Sequence, residues 1–260
     1  MTKYLIKKTL GWLLMIFLAT NLAYLLAASF LDPRSNYTGR RPPLSPEEIN
    51  SLLEPYNLSP DTPLIQRWWT WLTNILTKWD WGQSPVGEVV NSEISYRIWV
   101  SAQLLLLSTI LSILIGVAVG VYTASRQYKA GDRIWQGISI IAMNTHVVVA
   151  SIAVVWGALK INELSGKKIF YVVGSHSLDV EGFFPKLVDS AQHLILPTIS
   201  LVFISYASYH MTQRTLLLDN LDADYVRTAR AKGLTRQQAI RKHALRTSII
   251  PVATSVAFSI

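Results

Sequence analysis

The chain contains no cysteine in 260 residues. It therefore holds no disulfide and no thiolate metal site. Charge is also scarce: only 15% of residues are Asp, Glu, Lys or Arg, against about 25% in an average soluble domain. The scarcity is local. Thr9 to Leu31, Ile98 to Ser125, Ile134 to Leu159 and Ser190 to Gln213 carry no charged side chain at all. Each run matches the roughly 20 apolar residues that cross a bilayer core, so four spans are expected. With no carboxylate in any of them, the usual intramembrane Asp or Glu of a proton relay is missing. A Gly-x-x-x-x-Gly-Lys-Ser/Thr phosphate loop is absent too; Gly166-Lys167-Lys168 lacks its first glycine.

A fifth uncharged run starts at Thr247 and reaches Ile260. Those 14 residues make about 21 Å of helix, short of a core about 30 Å thick. The expectation is a chain that stops inside a fifth span. Lys3, Lys7 and Lys8 with Ala27-Ala28-Ser29 give the first run some features of a signal peptide. Its 23 apolar residues exceed the usual 7–15 and favour a retained span.

The net charge of +8 follows topology. With the N-terminus inside, segments 1–8, 126–133 and 214–246 hold fourteen Lys and Arg against four Asp and Glu. Segments 32–97 and 160–189 hold ten against twelve. Positive residues thus gather on one side, as membrane insertion requires. This divides the chain into an inner N-terminus with the first span (1–31), an outer segment with short helices (32–97) and a core (98–260) that contains the inner segment 214–246.

In the outer segment, Ser45-Pro46-Glu47-Glu48 reads as a capping box with proline at the first helical position. That helix should stop at Pro55. Thr62-Pro63 restarts a helix to about Trp79, with Leu64, Trp68, Trp71, Leu72, Ile75 and Trp79 on one side. It either lies along the membrane surface or packs on the spans. Gly116 and Gly120, four apart in the second span, allow close helix packing, within this chain or with another copy. Asn144 and His146 in the third span, and Tyr206 and Tyr209 in the fourth, either bond neighbouring helices or line a water-filled path. His193 and His210 fall near span ends, where interfacial roles are expected, and Pro197 can kink the fourth span.

The inner segment is the most informative. Asp222 is expected to cap a helix through Asp224, Tyr225, Val226, Arg227, Thr228, Ala229, Arg230, Ala231 and Lys232, ending at Gly233 and Leu234. Tyr225, Val226 and Ala229 form an apolar face among Arg227, Arg230 and Lys232. Thr235 and Gln238 close a second capping box, giving a second short helix. Three readings are open from these residues: a knob that enters a groove on a partner, a plain basic loop, or a helix pair that binds DNA.

Asp224-Tyr-Val-Arg-Thr-Ala-Arg-Ala-Lys-Gly-Leu234 resembles the inner signature of permease subunits of binding-protein-dependent ABC importers. It is most similar to the oligopeptide/dipeptide/nickel branch. Arg227-Thr228-Ala229 stand where the general signature has Glu-Ala-Ala, and Gly233 holds its glycine. His243, Leu245 and Arg246 stand at its Ile, Leu and Pro. His193-Leu-Ile-Leu-Pro197, Asp80-Trp-Gly-Gln-Ser84 and Pro85-Val86 resemble the same branch.

The resemblance implies an all-α polytopic bundle with the type I importer permease fold, of which four spans and part of a fifth are present. It implies a multi-pass protein of a bacterial plasma membrane that carries no catalytic residues, metal or cofactor of its own. ATP and Mg would sit on two partner ATPase subunits. A second, similar permease and an extracytoplasmic substrate-binding protein would complete the assembly in lipid, with no nucleic acid. Residues 224–234 would dock the ATPases, and Asn144, His146, Tyr206 and Tyr209 would line the path. The solute would be a peptide, with nickel chelates and sugars as the alternatives within the family.

Overall fold

The computed structural model describes residues 2–39, 42–177 and 180–259. Among them are ten α-helices and no strand; Gln83 and Val89 alone form an isolated antiparallel bridge. The chain divides into two compact units, Met1–Trp99 and Val100–Ile260. The boundary falls inside one long helix.

The first unit opens with α1 (Thr2–Phe30), long and apolar enough to cross a membrane. A short 3-10 turn, Pro33–Tyr37, follows. The Ser45 capping box then starts α2 (Pro46–Leu53): the Ser45 hydroxyl accepts from the Glu48 N–H, and Glu48 accepts from the Ser45 N–H. Pro55 turns the chain into a second 3-10 stretch, Glu54–Tyr56. Helix α3 (Leu64–Lys78) ends as Trp79 takes the left-handed conformation at φ 54°. The tryptophan face of α3 packs on α1: Trp71 stacks on Tyr24 at 4.3 Å, and the Trp68 indole N–H donates to Asn21 Oδ1 at 2.7 Å. Of the two expectations for this helix, packing on a span describes it. Tyr37, Ile49 and Leu53 form a small core beside it.

Helix α4 (Val90–Ser125) carries the chain into the second unit. There α5 (Ala130–Asn144), α6 (Val147–Ser165) and α7 (Phe183–Leu221) pack together, with α7 as the hub. With α1, the helices α4, α6 and α7 make four that can cross a membrane by length and composition. The third apolar run does not form one span. It breaks at Thr145 and His146, both extended, leaving α5 and α6 as separate helices. The polar triplet supplies the hydrogen bonds that make the break stable: Asn144 and Thr145 donate back to Ile140 O and Ile141 O, and the His146 ring accepts from the Val148 N–H.

Glycine permits the closest approach in this unit. A Cβ on Gly116 would stand 2.6 Å from Tyr209 Cβ, and one on Gly120 would stand 2.8 Å from Gln213 Cβ. Both glycines lie against α7 of the same chain. After α7 come α8 (Asp224–Ala231), α9 (Arg236–Ala239), a π turn over Ile240–Ala244 and α10 (Leu245–Ser259). The expected second short helix is not separate. Nothing between Ala239 and Leu245 breaks it, so it runs through the π turn into α10.

Candidate functional site

Helix α8 is amphipathic over eight residues. Its N-cap is Ala223, without a side-chain hydrogen bond; Asp222 ends α7 instead of capping α8 as expected. Asp224 lies in the first turn, where the helix dipole favours a negative charge. The end is better fastened. Gly233 sits at φ +93°, its N–H donates to Arg230 O at 3.0 Å, and the Leu234 N–H donates to Ala229 O at 3.3 Å. This double bond pattern is the Schellman closure that a glycine permits. Thr235 then caps α9, its hydroxyl accepting from the Gln238 N–H at 3.3 Å while the Gln238 amide oxygen accepts from the Thr235 N–H at 3.0 Å.

The apolar face of α8 points into its own chain. Val226 and Ala229 are buried against Ala124, Leu217, Ala239, Ile240 and Ala244. The sequence groups both with Tyr225 on one apolar face; the structure divides that face, burying Val226 and Ala229 and leaving Tyr225 exposed. A helix this short gains most of its stability from such packing, so its most apolar side is the one that turns inward. The outward surface consists of Asp224, Tyr225, Arg227, Thr228, Arg230, Ala231, Lys232 and Gly233. Leu234 is half-buried beside the core. The Tyr225 hydroxyl donates to Asn220 Oδ1 and holds its ring against the end of α7. Arg227 lies 4.0 Å from Asp224 in an exposed pair, which leaves its charge largely available.

Beneath this segment lies a polar core. Arg214 grips Asp132 with two hydrogen bonds, at 2.8 and 2.9 Å. The Tyr128 N–H and the Gln136 amide also donate to that carboxylate, which is 1% exposed. The Arg214 guanidinium holds Asp132 below the usual carboxylate range against the opposing effect of burial. Further along α7, His210 is fully buried between Thr123 Oγ1 at 3.0 Å and Ser139 Oγ at 2.6 Å. Gln213 donates to Ser248 at 3.0 Å. Helices α4, α5, α7 and α10 are thereby joined through side chains. His193 is buried as well, with Nδ1 2.9 Å from Asp189 O. His210 sits inside the helix packing, whereas His193 lies near the start of α7 against the ring of Tyr171 at 4.5 Å.

The four residues expected along a path do not converge. Asn144 and His146 are exposed at the α5–α6 break and bond only within their own turns. Tyr206 is buried, edge-on to Trp135, with its hydroxyl 3.3 Å from Ser139 Oγ. Tyr209 is half-buried where α7 meets Gly116. The residues that sequence reading missed are Asp132, Arg214, Thr123 and Ser139. Asp132 and Arg214 stand 82 positions apart, each just beyond an apolar run, and their opposite signs at matching depth were the available signal.

The arrangement offers a capped, cationic, outward-facing helix seated on a tightly joined bundle. Among the described residues no three His, Cys, Asp or Glu side chains group as a metal site. A family model described as "Binding-protein-dependent transport system inner membrane component" matches residues 116–260, which include α8 and the polar core. An oligopeptide transport system permease protein of Mycobacterium bovis is 34% identical over 261 residues, covering 100% of this chain and 79% of that protein. One from Bacillus subtilis is 31% identical, covering 98% and 77%. A dipeptide transport system permease protein of Lactococcus lactis is 27% identical over the same shares. With more than half of its length under the family model and a 34% identical relative covered over 79% of its length, the chain belongs to the family of binding-protein-dependent transport system inner membrane components.

Proposed function

We propose that this chain is a membrane permease subunit of an ATP-driven peptide importer, and that its α8 segment receives the motion of partner ATPases. The observation that carries the reading is the seating of α8. Its inner face is locked into the bundle by Val226 and Ala229, while Arg227, Arg230 and Lys232 are exposed on the outer face. A push on that surface reaches α4, α7 and the π turn that leads into α10 through close-packed aliphatic side chains. Rigid elements joined this way move as units. The relatives are named as oligopeptide and dipeptide permeases, which supports a peptide as solute over nickel, a sugar or a DNA role.

Under this reading the chain is non-catalytic. ATP and Mg belong to two ATPase subunits, a second permease completes the path, and a binding protein delivers the solute on the other side. The N-terminus and α8 face the cytoplasm of a bacterial inner membrane, as the distribution of Lys and Arg supports.

The test places a carboxylate on the exposed face. Ala231→Glu should leave the assembled complex purifiable with its partners, yet lose solute uptake while ATP hydrolysis persists. Normal uptake by a stably assembled Ala231→Glu complex would remove α8 from the coupling role.

A further inference from the structure

Arg67 is a buried cation without a counter-charge. It is 8% exposed, its Nε has no hydrogen-bond partner, and it joins no ion pair among the described residues. Among the described residues its hydrogen bonds run through the backbone: its N–H donates to Pro63 O, and its carbonyl accepts from the Asn57 amide at 2.8 Å. An arginine this buried, with its Nε shielded and unbonded, favours an anion beside it.

The surroundings indicate which kind. Arg67 lines a cavity of about 340 Å³ together with Tyr24, Ala27, Leu31 and Leu58. It also lines a neighbouring cavity of about 290 Å³ that shares Ala28, Leu31 and Pro33 with the first. The lining of the first is predominantly apolar, whereas the second is mainly polar. Asp32 borders both spaces, but its carboxylate accepts from the Arg34 N–H at 3.0 Å and forms no ion pair with Arg67. The cavities lie where the apolar run of α1 ends at Leu31, the depth at which hydrocarbon gives way to headgroups. Trp68 and Trp71 of α3 pack on α1 at the same end, side chains suited to that boundary.

We infer that this cleft seats one anionic phospholipid, its phosphodiester on the Arg67 guanidinium and its acyl chain along Ala27 and Leu31. A soluble anion would satisfy the charge but leave the apolar lining bare. A lipid satisfies both, and the guanidinium–phosphate pair is a charge-assisted hydrogen bond of the strong kind.

The test uses the protein in its native assembly, reconstituted in nanodiscs of phosphatidylcholine with a minor share of phosphatidylglycerol. Native mass spectrometry reads the lipid that stays bound. Wild type should retain phosphatidylglycerol in preference to phosphatidylcholine. Arg67→Gln should cut that retention by roughly tenfold, the loss of one strong polar contact, whereas Arg67→Lys should keep part of it. Ala28→Trp keeps the cation but fills the cavity, and should also shed the lipid. Equal retention by wild type and Arg67→Gln would overturn the assignment. So would displacement of the lipid by inorganic phosphate alone, or an Arg67→Gln complex that keeps its lipid but loses a soluble partner protein.

Discussion

Two small helical regions outside the long helices obey the same local rules and reach different ends. The Asp224–Ala244 region and the Ser45–Trp79 region each start a helix with a capping box, and each turns through a left-handed residue, Gly233 in one and Trp79 in the other. Their cores differ. The first is sealed by small aliphatic side chains: Val226, Ala229, Ala239 and Ala244 close on Ala124 and Leu217. The second has only a small core of Tyr37, Ile49 and Leu53, flanked by half-buried indoles and the buried Arg67, and cavities of about 340 and 290 Å³ lie along its edge. Small aliphatic residues pack closely, so force applied to one element is passed on, and a cavity of about 260 Å³ beside this cluster touches it only at Val121 and Ile240 among the cluster's side chains. Large amphipathic rings leave gaps and keep polar edges that want partners. The first region suits mechanical contact, and the second suits a guest.

The sharpest way to break this contrast is to charge α8 on each face in turn. Ala229→Glu forces a carboxylate into the aliphatic seal and should destabilise the chain by about 4 kcal/mol or more. Ala231→Glu, two residues on and exposed, should change stability by no more than about 0.5 kcal/mol. Unfolding in detergent checks both. Equal melting of the two variants would mean that the inner face of α8 is not a core.

Next in size is the Asp132–Arg214 pair. Asp132→Asn leaves a mostly buried guanidinium without its charge partner, a loss of about 3 kcal/mol. The wild-type pair also has a pH signature. Arg214 lowers the Asp132 pKa in the folded chain, so the pair contributes in full above the ordinary carboxylate value of about 3.9. That contribution is lost as pH falls through the lower folded value. Wild type should therefore lose stability on acidification over this window, and Asp132→Asn should lose less. Parallel pH curves for the two proteins would contradict the assignment.

Much of this architecture is legible in the sequence because bilayer physics leaves few choices. Uncharged runs become long helices, and Ser45, Thr235 and Gly233 mark helix ends through their own hydrogen-bonding and backbone limits. What escapes reading is direction and partnership. Val226 and Ala229 mark a face by their spacing of three, but nothing local says whether the chain or a partner covers it. Asn144, Thr145 and His146 look like buried polar residues of one span, yet each satisfies the backbone of its own turn and ends the helix there. His210 resembles an end-of-span residue until α4 and α5 bring Thr123 and Ser139 to its two ring nitrogens.

The close approach of α4 to α7 gives the next prediction. Gly120→Ala places a Cβ 2.8 Å from Gln213 Cβ and 2.9 Å from the His210 carbonyl oxygen. Backbone must move, at a cost of roughly 1–3 kcal/mol. Gly137→Ala is the control: nothing lies within 4 Å of its added methyl, and it should be neutral or slightly stabilising. Thermal melting of the two variants separates packing from helix propensity.

The smallest effect returns to the shared capping box. Ser45→Ala and Thr235→Ala each remove one side-chain acceptor from an N–H three residues on, and each should cost about 1 kcal/mol. Their reach should differ. Ser45 caps a helix that ends at Leu53, so fraying stays within that helix. Thr235 caps a stretch that continues through the π turn into α10, whose Ser248 accepts from Gln213 of α7. Amide hydrogen exchange should therefore quicken only over residues 46–53 in Ser45→Ala. In Thr235→Ala it should quicken from 236 past Ala244. A Thr235→Ala effect confined to its first turn would show that the π turn isolates α9 from α10, and would shorten the mechanical path from α8 to the bundle.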